Sequence, residues 1–154
     1  MSTEPKLSYS PGLAGVVAGE TAICWVDPNA GLLYRGYDID EMASQASFEE
    51  AAYLLLKGEL PGAQELAEFQ KQLAAERELP KPVLELLRLM PRGTHPMDML
   101  RTGVSMLGAF DNELNDNSHA ANVRKSIRLI ARVSTLVTDG CAWLTAPACI
   151  IWRN

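Results

Sequence analysis

The stretch ANVRKSIRLIARVSTLVTDG (121–140) decides how this chain folds. Val123, Ile127, Ile130, Ser134 and Val137 recur at the three-four spacing of one helix face, and Leu129, Val133 and Leu136 make a second stripe beside it. A helix apolar over so much of its circumference must be covered from more than one side, which predicts a mainly α-helical protein packed around it. Arg124, Arg128 and Arg132 fall at i, i+4 and i+8 on a third face of the same helix. Such a row can bind phosphate or carboxylate, and its plainer reading is a solvated face.

Upstream, each helix carries its own start and stop signals. SFEEAAYLLLKGELP (47–61) opens with Ser47 and Glu50 in capping-box spacing, offers Phe48, Ala51, Ala52, Leu55 and Leu56 as an apolar side, and stops at Gly58. A helix over about 63–78 turns Leu66, Phe69 and Leu73 to one side before Pro80, and a shorter one carries Val83, Leu86, Leu87 and Met90. The next begins with Thr94 as cap and Pro96 in the first turn, followed by Met97, Leu100, Val104 and Leu107. Near the N-terminus, AICWVD (22–27) and GLLYRGY (31–37) are β-prone runs around Pro28-Asn29-Ala30, which predicts a small β-hairpin.

Composition bounds the function. With 154 residues, 47% of them hydrophobic and 21% charged, the chain has the make-up of one ordinary globular domain. A net charge of −5 argues against general attraction to nucleic acid or to anionic membranes. Cys24, Cys141 and Cys149 form neither a disulfide framework nor a ligand spacing, which points to the cytoplasm. Residues 1–11 read as a flexible lead-in without a targeting signal, and the arginines and Asp139 break up any membrane-spanning run.

No catalytic constellation emerges from the residues alone. GLAGVVAG (12–19) places glycines at 12, 15 and 19, outside the register of a nucleotide-binding loop. GVSMLG (103–108) lacks the spacing of a nucleophile elbow, and close packing of Gly103, Ser105 and Gly108 on a neighbouring helix explains it better. His95 and His119 both lie next to helix starts, with no second ligand at metal-binding spacing. Glu49-Glu50 and Asp38/Asp40/Glu41 fall in first turns, where negative charge offsets the helix dipole. For Arg35 in YRGYD, a buried structural salt bridge and a ligand contact are equal alternatives.

Four segments, GLAGVVAGETAI (12–23), LLYRGYDIDEMA (32–43), SFEEAAYLLLKGELP (47–61) and HPMDMLRTGVSMLGAFD (95–111), occur in an order and at spacings that resemble the amino-terminal part of the citrate synthase family, including the 2-methylcitrate synthases. The resemblance covers about 12–140. It implies a multi-helical, homodimeric enzyme of the tricarboxylic acid cycle type, which condenses an acyl-CoA with oxaloacetate and uses acyl-CoA as co-substrate with no other cofactor or metal. It also implies that the two catalytic histidines and the aspartate lie in a carboxy-terminal half whose motifs do not occur here, so no catalytic or cofactor-binding residue is assigned. The helices at about 95–110 and 120–139 resemble the pair that packs across the family's dimer interface. Residues 141–154, CAWLTAPACIIWRN, depart from the family: ten of fourteen are apolar, without helical or strand period. They read as an aberrant tail from a frameshift or a mis-assigned end, which leaves an alternative in which the chain is a non-catalytic helical dimerisation or interaction protein.

Overall fold

In a computed structural model, residues 12, 15–17, 19–27 and 31–145 are described. They comprise two compact units, divided between Ala46 and Ser47. In the first, β1 (Cys24–Asp27) pairs antiparallel with β2 (Gly31–Tyr34), as the two β-prone runs predict. The second run does not continue as one strand. It turns at Arg35-Gly36 into β3 (Tyr37–Asp38), with Tyr34 opposite Tyr37, giving a three-stranded sheet in place of a single hairpin. Both turn residues have positive φ, 51° and 93°, which suits a two-residue hairpin loop whose twist matches the strands. Helix α1 (Ile39–Gln45) follows at once, because the Asp38 carboxylate accepts from the amides of Asp40 and Glu41. Its Met42 is buried.

The second unit is all helix: α2 (Phe48–Lys57), α3 (Ala63–Ala75), α4 (Lys81–Leu89), α5 (Pro96–Gly108) and α6 (His119–Thr145). Helix α2 has the expected capping box, with Ser47 and Glu50 bonded reciprocally, and ends at Gly58 in the left-handed region at φ 100°. Of its expected apolar side, Ala52 is buried and Leu56 packs against the core, while Phe48, at the first helical position, is 68% exposed. Leu54 is completely buried. Helix α3 is about a turn shorter than its apolar pattern predicts, and the Glu76 carbonyl just after it accepts from Arg132. Helix α5 is capped by His95, whose Nδ1 accepts from the Met97 amide. Thr94 turns away and donates to the Pro91 carbonyl. The buried stripe of α5 is accordingly Met99, Gly103 and Leu107, with Leu100 and Val104 half-buried and Met97 outside it.

Helix α6 is the element on which both cores are built. Ile127 and Ala131, in its first half, join Ala52, Phe69 and Leu73 of α2 and α3 in one cluster. Leu136, in its second half, joins Leu79, Val83, Leu87, Met99 and Leu107 in the other. This is the covering from more than one side that its sequence demands, although Ser134 and Leu129 remain exposed. The helix runs on through Thr145, so the first five residues of the stretch read as an aberrant tail are helical. Ala146–Asn154, with Cys149, and the proposed lead-in 1–11 lie outside the described residues.

Helices α5 and α6 meet at glycine. A Cβ at Gly103 would lie 2.6–3.0 Å from the Leu136 side chain, and one at Gly140 would lie 2.3 Å from Cε and Sδ of Met99. Of the three small residues expected to pack closely, only Gly103 does so. Ser105 is exposed, and Gly108 faces Leu114 at an ordinary 3.7 Å. Leu136 is fully buried and has no room to swing aside. Gly103→Val is therefore expected to destabilise the chain by about 1–3 kcal/mol, the usual cost of overpacking. Urea unfolding followed by circular dichroism checks this, and an unchanged midpoint would show that the helices approach less closely.

Candidate functional site

Among the described residues, a dense polar arrangement lies where residues 109–118 join α5 to α6. The segment is shaped by its own side chains: Asp111 Oδ1 accepts from the Glu113 amide at 2.8 Å, and Asp116 Oδ1 from the Ser118 amide at 2.8 Å. Ser118 then caps α6 by accepting from the Ala121 amide. These turns aim two carboxylates at the arginine row. Arg128 binds both oxygens of Asp111 at 2.9–3.2 Å and reaches Glu113 at 2.9 Å. Arg124 grips Glu113 through Nε and Nη2. One turn further, Arg132 donates to both the carbonyl and the carboxylate of Glu76, and Lys125 donates to the Asp116 carbonyl at 2.6 Å.

The row is thus solvated at Arg124, whose side chain is 52% exposed, and paired within the chain along its length. Arg128 and Asp111 are only 18% and 16% exposed, and each of the three guanidiniums already faces a carboxylate. A hollow of about 210 Å³ lies beside them, bounded by Val104, Leu107, Leu114 and Leu129 on its apolar side. Hydrogen bonds from Arg124 and then Arg128 pull the Glu113 carboxyl down to about 2. Burial raises Asp111, but the Glu113 amide and the Arg128 guanidinium outweigh it and leave the group below its ordinary value. Asp116 is lowered by the Ser118 amide and hydroxyl.

The remaining candidates are dispersed. His95 and His119 stand at the starts of α5 and α6, the first as a cap, and no set of His, Cys, Asp or Glu among the described residues could hold a metal ion. The carboxylates of Asp38, Asp40, Glu41, Glu49 and Glu50 occupy first turns as expected. The described part of 12–19 leads into a strand instead of opening a helix, which removes the phosphate-loop geometry. Arg35 turns the hairpin at positive φ, and its amide donates to the Ile23 carbonyl. Residue types alone did not reveal Asp111, Glu113 or Glu76 as partners of the arginines. A faint signal existed in the D-x-E pair just ahead of a basic helix.

Fold and site together define a multi-helical scaffold around a shared central helix, without a proton-transfer constellation among its described residues. The family model described as citrate synthase, C-terminal domain, matches residues 12–143, and the chain belongs to the citrate synthase family. It is 40% identical over 134 residues to the citrate/2-methylcitrate synthase of Bacillus subtilis, covering 86% of this chain and 36% of that protein. It is 45% identical over 140 residues to a 2-methylcitrate synthase of Mycobacterium tuberculosis, covering 88% and 35%. Among solved structures, the citrate synthase of Thermotoga maritima aligns with a TM-score of 0.77 at 33% identity, covering 89% of this chain and 35% of that one. The Thermoplasma acidophilum enzyme, solved as a ternary complex with carboxymethyl coenzyme A and oxaloacetate, aligns with a TM-score of 0.82 at 26% identity, covering 89% and 36%. The chain therefore spans little more than a third of the length of these relatives.

The lowered carboxylates set an acid limit. A carboxyl depressed in the folded state stabilises it fully above its unfolded value, 4.5 for Glu113, and loses that contribution as pH falls through the folded value of about 2. The thermal midpoint is expected to fall between about pH 4.5 and pH 2, and the fall to be shallower in Glu113→Gln. Melting curves of both proteins across that range test it; parallel slopes would remove Glu113 from the account.

Proposed function

We propose that this chain is the amino-terminal third of an acyl-CoA:oxaloacetate C-acyltransferase that condenses acetyl-CoA or propionyl-CoA with oxaloacetate to give citrate or 2-methylcitrate. It supplies scaffold to that reaction and not the groups that move protons. Removing a weakly acidic proton beside a thioester carbonyl requires a positioned base and donors for the developing enolate oxygen. His95 and His119, the only two histidines of the chain, are held at helix starts, the first with its Nδ1 taken up in accepting from the Met97 amide. The observation that carries the reading is the family match over residues 12–143, combined with a span of about 35% of the relatives' length. In this reading the protein is a cytoplasmic homodimer that pairs through α5 and α6. It is supported by the apolar groups that α6 and its connecting loop leave uncovered, and no helix among the described residues is long and apolar enough to cross a membrane.

The same uncovered groups favour a second reading, a non-catalytic module that pairs with its own kind or with a full-length synthase. Both readings expect the purified 154-residue chain to release no coenzyme A above background from acetyl-CoA or propionyl-CoA with oxaloacetate. A thiol-release assay checks this, and steady turnover proportional to protein would overturn the scaffold reading. Co-purification with a tagged full-length synthase separates the second reading from the first.

A further inference from the structure

A separate groove of about 350 Å³ runs between α4 and α6, lined among the described residues by Leu84, Leu87, Arg88, Asp139 and Ala142. Its floor is apolar, with Leu87 only 3% exposed and Leu84 half-buried. Arg88, in the last turn of α4, and Asp139, in the second half of α6, are both exposed and bring opposite charges to it. Among the described residues neither side chain makes an ion pair or hydrogen bond, with the other or with any third group. They differ in this from Arg124, Arg128 and Arg132, each of which already faces a carboxylate.

Two opposite charges that share a groove without meeting select what can settle between them. An anion on Arg88 would face Asp139, and a cation on Asp139 would face Arg88. An uncharged ligand would take water from both without replacing it. A molecule with one carboxylate, one ammonium and an aliphatic body answers both charges with charge-assisted hydrogen bonds and covers the leucines as well. The volume lies near the lower end of small-molecule sites, about 300–1,000 Å³, which suits a ligand of that size. We propose that the groove between α4 and α6 binds an aliphatic α-amino acid, its carboxylate on the Arg88 guanidinium, its ammonium on the Asp139 carboxylate and its side chain over Leu84 and Leu87. The inference stands apart from the synthase reading, since it uses only the groove and its two unpaired charges, and the failure of either leaves the other intact.

Titration of the full chain with L-leucine, followed by calorimetry and by amide NMR, tests it. Saturable binding with a dissociation constant of about 1 mM is expected, in keeping with a small ligand in an open groove. The amide shifts are expected to centre on residues 84–88 and 139–142. Isocaproate, which lacks the ammonium, and isoamylamine, which lacks the carboxylate, are each expected to bind at least about tenfold more weakly. Arg88→Gln and Asp139→Asn replace exposed groups, so both variants are expected to keep the circular dichroism and thermal midpoint of the wild type while losing about tenfold in leucine affinity. No saturation of the wild type at tens of millimolar leucine overturns the inference. So does leucine binding that both variants retain, that isocaproate matches, or that shifts amides elsewhere in the chain.

Discussion

The close approach of α5 and α6 is the constraint on which the second unit depends. Gly103 receives Leu136 and Gly140 receives Met99, so each helix offers the other one large side chain and one missing one. Leu136 and Met99 are thereby almost wholly sealed from water, each contributing roughly 1.5–3 kcal/mol of burial. Because both belong to the cluster that also holds Val83 and Leu87, the spacing of this pair fixes where α4 lies. Small residues at 103 and 140 carry more of the fold than their size suggests.

The first half of α6 is held by other means. Ala131 and Ile127 present a shallow surface to Phe69 and Leu73, and the edge-to-face contact of Tyr53 with Phe69, 5.4 Å between ring centres, fills the space behind them. The three arginines then tie α6 laterally to the end of α3 and to the loop before it. Charge pairs of this exposure add modest stability. Their stronger effect is geometric, since a guanidinium bound at two oxygens holds a loop in one orientation. The loop in turn positions Leu114 beside Gly108 and the hollow.

Local rules were legible in the sequence, and distant ones were not. The capping box at Ser47 and Glu50, the stop at Gly58 and the proline at 96 depend on neighbours within four residues, and each is realised. Thr94 failed as a cap because His95 offers an acceptor one position nearer the helix, a competition between adjacent residues that composition does not rank. The apolar side of α2 was legible only in part, since Ala52 and Leu56 pack as expected while Phe48 stands exposed. Phe48 fits the three-four pattern, but which of two overlapping stripes is buried depends on where α3 and α6 lie. The turn at Arg35-Gly36 was hidden because an arginine at positive φ violates its own preference, and only the pairing on both sides holds it there. The partners of the arginines lie 11, 17 and 56 residues away, beyond the reach of any periodicity argument.

The core of the second unit is organised along one helix. A long helix has room for three neighbours around its circumference, and α6 uses its faces in succession, giving one end to α2 and α3 and the other to α4 and α5. The described buried groups of both clusters lie between Ala52 and Leu136. Leu129 stays exposed at the rim of the hollow it shares with Val104 and Leu107 of α5, flanked by charges paired within the chain. A solvated helix face would place a polar residue there, as it does at Ser134 one and a half turns on. Leucine at that position instead continues the apolar lining of the hollow, beside charges that are already paired within the chain.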